Sequence, residues 1–189
     1  MSNRRLEIIS PTLVETAYKT LGKAQTGADG PFSLAFATTG DSIVSSYYAN
    51  NEYYLYENSY YNGHRTMSIL KKIPRATYRK LYMEIEIFRG SSNLDACWSV
   101  TFNSTGILTG SNAGNFQGTN FKTLYLANNS WTVEQINQQS GITINCTEVG
   151  KLSRQTVEID ISDITEDFWI CTYMNYDYAN IYNLYLDVV

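Results

Sequence analysis

From Phe32 onward apolar and polar residues alternate with a period of two, the spacing that puts successive side chains on opposite faces of a strand. Leu81, Met83, Ile85 and Ile87 alternate with Tyr82, Glu84, Glu86 and Phe88, which predicts a strand with one core face and one half-wet face. Trp98, Val100 and Phe102 repeat the pattern, as do Ile142, Ile144 and Cys146, and then Val157, Ile159 and Ile161. Phe168, Ile170 and Thr172 oppose Trp169, Cys171 and Tyr173, and Tyr182, Leu184, Leu186 and Val188 form one face of a last strand. Earlier, Leu34 and Phe36 open the pattern, Tyr53 to Tyr56 is strand-like, and Asn62-Gly63 is a hairpin signal. Turn residues separate these runs at Thr39-Gly40-Asp41, Asn50-Asn51, Gly90 to Asn93, Ser104 to Gly106, Gly110 to Asn120 and Val149 to Lys151. Many short strands at this spacing, without βαβ alternation, predict an all-β fold: a two-sheet antiparallel β-sandwich of jelly-roll type.

Two segments read differently. Ser10 suits an N-cap and Pro11 a first helical position, and Leu13, Val14, Ala17 and Leu21 then recur at helical spacing before Gly22. A helix of roughly ten residues is marginal alone, so this stripe must pack on the domain or on a partner. Residues 22–31 hold three Gly and one Pro and read as a linker. The expected division is an N-terminal arm or helix over 1–30 and a sandwich over 31–189. Farther on, Thr132 and Gln135 fit a capping box for a short helix after Trp131, which Gly141 would close.

Composition sharpens the picture. At 189 residues the chain suits one domain with a core large enough to need no disulfide or metal. Charged residues are only 17%, so polarity rests on Asn, Ser, Thr and 16 Tyr, a bias toward pleated, half-buried surfaces. A net charge of −4 argues against a nucleic-acid partner. The one basic cluster, Lys71, Lys72, Arg75, Arg79 and Lys80, reads as a charged strand edge, with a dock for an acidic neighbour as the alternative. Cys97, Cys146 and Cys171 lie in apolar runs with no metal or disulfide spacing, and are expected as buried free thiols. No apolar leader follows the N-terminal Met-Ser-Asn-Arg-Arg and no apolar run is long enough to span a bilayer, so neither secretion by a signal nor a membrane partner is expected.

Chemistry is sparse. His64 is the single histidine and borders the Asn-Gly turn, so a Ser-His or Cys-His relay has little to draw on. Glu84 and Glu86 share a strand face about 7 Å apart; that reads first as a solvated strand face, with a glycosidase pair as the alternative the spacing could mimic. Asp160, Asp163, Glu166 and Asp167 flank a turn; no cofactor is expected, with calcium at this turn as the alternative to simple solvation. Gly110 to Gly118 lacks the Lys and Ser/Thr of a phosphate loop and reads as a long loop at one end of the sandwich. Tyrosines gather between Tyr47 and Tyr61 and again between Tyr173 and Tyr185. About half of each group should face the core, leaving the rest for a sugar platform or a subunit interface. The candidate contact residues are Leu13, Val14, Ala17, Leu21, Tyr54, Tyr56, Trp131, Tyr176 and Tyr178.

The stretch from Val157 through Asp160-Ile161-Ser162 to Phe168-Trp169-Ile170, followed by Tyr182 to Leu186, resembles jelly-roll domains of tailed-bacteriophage virion proteins, whose fold is similar to carbohydrate-binding modules. The resemblance implies a non-enzymatic structural role: capsid decoration, fibre, or tail and baseplate component. It would be made in the host cytoplasm and end in the virion, as a homo-oligomer, such as a trimer, docked on other virion proteins. The alternative is a carbohydrate-binding module or adhesin that contacts a glycan through exposed Tyr and Trp. Cleavage of a glycan by Glu84 and Glu86 comes third.

Overall fold

The computed structural model describes residues 18–23, 36–38, 43–49, 52–58, 65–74, 78–105, 107–108 and 116–187. They form β1 (Tyr18–Lys23), β2 (Phe36–Thr38), β3 (Ile43–Ala49), β4 (Glu52–Asn58), β5 (Arg65–Ile73), β6 (Lys80–Phe88), β7 (Cys97–Asn103), β8 (Ile107–Leu108), β9 (Phe116–Gln117), β10 (Asn120–Asn128), α1 (Val133–Asn137), β11 (Ile142–Thr143), β12 (Leu152–Asp160), β13 (Phe168–Asn175) and β14 (Tyr178–Asp187). One sheet runs β11-β12-β6-β14-β4-β3, with β1 also on β14; the other runs β10-β7-β13-β5-β2; β8 and β9 pair alone. Pairing is antiparallel throughout the two large sheets. The chain crosses between sheets from β5 to β6 to β7, and again from β12 to β13 to β14. The result is the all-β sandwich that the alternation predicts.

The core follows from that alternation. Leu81, Met83, Ile85 and Ile87 of β6 are each 0–2% exposed, and the residues between them are half-buried. They join Val157, Ile159, Ile181, Leu184 and Leu186 from their own sheet and Trp98, Val100, Phe102, Leu124, Leu126, Phe168 and Ile170 from the opposite one in a single cluster. Each such side chain contributes roughly 1.5–3 kcal/mol by leaving water. Phe102 and Phe168 meet edge to face at 5.5 Å. Cys97, Cys146 and Cys171 are buried free thiols, as expected. Burial, with Asp177 and Asp95 nearby, pushes the Cys97 thiol up to about 12, so it stays protonated.

Three local expectations change. Residues 18–23, placed on a helix or linker by their spacing, form β1 along β14, from Tyr18 opposite Asp187 to Lys23 opposite Asn183. The long final strand offers that segment a ladder, which a marginal helix cannot match. Residues 1–17 and 24–30 lie outside the described residues, so the arm expected over 1–30 is seen only as β1. The capping box at Thr132 and Gln135 forms, but α1 ends at Asn137 with Gln138 as its C-cap, and Gly141 sits in the following turn. The strand expected through Cys146 stops at Thr143. Beyond it side-chain amides replace the ladder: Asn137 bonds the N–H and C=O of Cys146 at 2.8 and 2.9 Å, and Gln155 bonds those of Asn145 at 2.8 and 2.9 Å. Among the described residues, no helix is long and apolar enough to cross a membrane.

Candidate functional site

The outer face of the seven-stranded sheet gathers most of the distinctive chemistry. Its centre is β6, whose strict alternation points Lys80, Tyr82, Glu84, Glu86 and Phe88 away from the core. The strands on either side are both bulged. On β14 the register slips between Ile181 and Asn183, inserting Tyr182 as an extra residue; on β12 it slips between Leu152 and Gln155, the stretch that carries Arg154. Bulges re-aim side chains. Here they send Arg154 and Tyr182 toward each other over β6, with the guanidinium carbon 3.6 Å from the ring centre. A period-two reading had put Tyr182 in line with the core residues Leu184 and Leu186; the bulge moves it to the opposite face.

Beneath that bridge the polar groups are tied together. Arg154 donates through Nε and Nη2 to Glu84 Oε1 at 2.9 and 2.6 Å, and Asn183 donates to Glu84 Oε2 at 2.5 Å. The Tyr182 hydroxyl donates to Glu86 Oε2 at 3.0 Å. Burial, with Glu86 beside it, raises the Tyr182 phenol above its ordinary value, so at neutral pH it remains the donor in that bond. Asn180 Nδ2 donates weakly to the same hydroxyl at 3.4 Å. Both oxygens of Glu84 are thus engaged, and Glu84 and Glu86 both have a place in this network.

Next to the network lies a run of rings. Tyr178 pairs with Phe88 across β14 and β6, and the two rings stack at 5.0 Å and 12°. Tyr56 of β4, opposite Asn180, is tilted against Tyr178 at 6.3 Å. All three are half-buried. In register, Glu86 and Asn180 form the row between the Tyr178–Phe88 pair and the Glu84–Asn183 row, and Tyr56 continues it on β4. The β13–β14 turn that delivers Tyr178 is held from below. Asp177, 1% exposed, accepts from the Gly90 N–H at 3.2 Å, while a side chain at Gly90 would collide with the Tyr176 carbonyl at 2.4 Å. Glycine there lets the end of β6 approach the turn, which keeps Phe88 beside Tyr178.

The structure therefore unites Tyr56 and Tyr178 from the expected contact residues. Tyr176 stands in the same turn, half-buried, at a φ of 56° that a bulky residue seldom adopts. Trp131 belongs elsewhere. It packs against Tyr125 at 4.9 Å beside the core, on the five-stranded sheet. Tyr54 lies in β4 opposite Tyr47, and Leu21 in β1; Leu13, Val14 and Ala17 fall outside the described residues, as does His64. Phe88, Arg154, Asn180 and Asn183 were missed. Phe88 was visible as the end of the wet face of β6, whereas Arg154 depends on a bulge that alternation does not encode.

Other sequence candidates disperse. Lys72 lies on β5 and pairs with Asp167 at 3.7 Å, while Lys80 on the other sheet pairs with Glu158 at 2.5 Å, so the basic cluster is not one patch. In the acidic turn Asp163 takes the Lys122 ammonium at 3.0 Å and Asp160 accepts from Ser162 at 2.9 and 2.6 Å. Among the described residues no three acidic, His or Cys side chains converge as a metal group.

No protein-family model matches the chain, and no curated protein matches its sequence. Among solved structures it is similar to the low-affinity xylan-binding module CBM86 from the gut symbiont Roseburia intestinalis, with 8% identity and a TM-score of 0.35 over 82% of this chain and 95% of that one. It is also similar to the K1 cleaved adhesin domain of Lys-gingipain from Porphyromonas gingivalis, with 11% identity and a TM-score of 0.37 over 92% of this chain and 91% of that one.

Proposed function

We propose that this domain binds carbohydrate on the outer face of its seven-stranded sheet. The observation that carries the reading is the placement of the Tyr56–Tyr178–Phe88 run directly beside the hydrogen-bonded row of Glu86, Asn180, Tyr182 and Arg154. A sugar ring has an apolar C–H face and a rim of hydroxyls. Aromatic rings supply area and dispersion for the first, and carboxylates and amides supply directed bonds for the second. The polar groups are oriented by one another before any ligand arrives, which lowers the ordering cost of binding. The same pairing of rings and polar anchors describes binding sites generally.

The test is a glycan array followed by titration of any hit against Tyr178→Ala and Tyr56→Ala. Each replacement should weaken binding about tenfold, the loss of roughly 1–2 kcal/mol of ring contact, while near-ultraviolet circular dichroism stays otherwise native. Full binding by both variants would remove this face from consideration.

A further inference from the structure

Resting on the carbohydrate reading, we infer that the glycan recognised by this face is uncharged, and that one of its rings sits beside Phe88 with a hydroxyl donating to Glu86. The first argument is the charge arrangement. Among the described residues, three cations around this part of the face each have a carboxylate: Arg154 with Glu84 at 2.6 Å, Lys80 with Glu158 at 2.5 Å, and Lys151 with Glu148 at 2.7 Å. A uronate or sulfate would have to displace one of these partners. Glu86, by contrast, has no cationic partner among the described residues. Its Oε2 accepts from Tyr182, and it lies in the middle of the row between the rings and the Arg154 bridge. An incoming anion therefore meets an unneutralised carboxylate with no gain elsewhere. A hydroxyl meets a strong acceptor instead, since a bond to a carboxylate is about twice as strong as one between neutral groups.

The second argument is shape. Phe88 is stacked with Tyr178 and also lines an open depression of about 130 Å³, together with Glu86, Thr147, Glu148, Lys151 and Ser153. That is below the roughly 300–1,000 Å³ of enclosed ligand sites, so it admits no more than a single sugar ring lying open to solvent. Its wall offers one aromatic surface for the C–H face and hydroxyl and carboxylate groups for the rim. These are the same two groups, Phe88 and Glu86, that the charge argument selects.

The experiment is affinity electrophoresis of the full chain in gels containing neutral polysaccharides (mixed-linkage β-glucan, galactomannan) or acidic ones (polygalacturonate, alginate), repeated with Glu86→Gln, Glu86→Lys and Phe88→Ala. Retardation by a neutral polymer only is expected. Glu86→Gln, which keeps an acceptor for Tyr182, should weaken it at least about fivefold, and Phe88→Ala should do the same. Equal or stronger retardation by an acidic polymer, or neutral binding unmoved by both Glu86 variants, overturns this inference while leaving the carbohydrate reading in place. No retardation by any polymer, together with an empty glycan array, overturns the carbohydrate reading itself.

Discussion

Asp177 is the residue whose behaviour departs furthest from its sequence context. In the chain it reads as an ordinary turn carboxylate between two strands, yet it is 1% exposed, with Oδ1 on the Gly90 N–H and, among the described residues, no partner for Oδ2. Burial pushes its carboxyl up to about 7; the Gly90 bond and the Arg89 guanidinium pull the other way without prevailing. In the unfolded chain the group titrates near 3.8. Between those values the folded state holds a proton that the unfolded state has lost, so stability falls as pH rises. The contribution is fully present below about 4, is lost as pH climbs through about 7, and amounts to roughly 4 kcal/mol at most. Asp177→Asn keeps an acceptor for Gly90 and removes the titration. Relative to the parent, this variant should gain about 1–3 kcal/mol on going from pH 4.5 to pH 8. Urea unfolding at the two pH values measures it, and a parallel pH dependence in both proteins would contradict the assignment. Nothing in the residue pattern around Asp177 announces its burial, because burial here comes from the end of β6 folding onto the turn.

At the scale of elements, side-chain amides finish what the ladders leave open. Besides Asn137 and Gln155, Gln139 donates to the Tyr125 carbonyl at 2.6 Å and accepts from its N–H at 2.9 Å. This contact falls where β10 bulges between Tyr125 and Ala127, on the edge strand of its sheet. An edge with free N–H and C=O groups invites pairing with another chain, and Gln139 occupies that position. Asn137→Ala leaves both backbone groups of the buried Cys146 without their partner and should cost about 1–3 kcal/mol by urea unfolding. A loss under about 0.5 kcal/mol would mean water replaces the amide freely. The α1 signal was legible because a capping box is local in sequence, with Thr132 and Gln135 three positions apart. The end of β11 was not, because Ile142, Ile144 and Cys146 alternate like a strand while the backbone of Asn145 and Cys146 is satisfied by the side chains of Gln155 and Asn137. At residues 18–23 helical spacing misled for the same kind of reason: β14 supplied them with a partner that lies more than 150 positions away.

For the molecule as a whole, the division between core and outer face can be tested on adjacent residues of one strand. Ile85 is 0% exposed between the sheets, and replacing it with Ala should cost about 2–5 kcal/mol. Glu86 points the other way, and Glu86→Gln should change stability by less than about 1 kcal/mol while weakening glycan binding. Comparable stability losses at both positions would mean the outer face is structural. Legible in the residue pattern were the all-β class, the core face of β6, β7 and β12, the buried thiols and the capped helix. Each rests on alternation or spacing over a few neighbouring residues, and burial then follows from transfer out of water. It also marked Tyr56 and Tyr178 as contact candidates, through density alone. Only the tertiary structure decided that these two share a platform with Phe88, that Trp131 lies on the other sheet, and that Arg154 and Tyr182 meet above Glu84 and Glu86. Those outcomes depend on strand order and on two bulges. Strand order is set by contacts between distant segments, and a bulge turns a side chain to the opposite face without altering the residue pattern that encodes the strand.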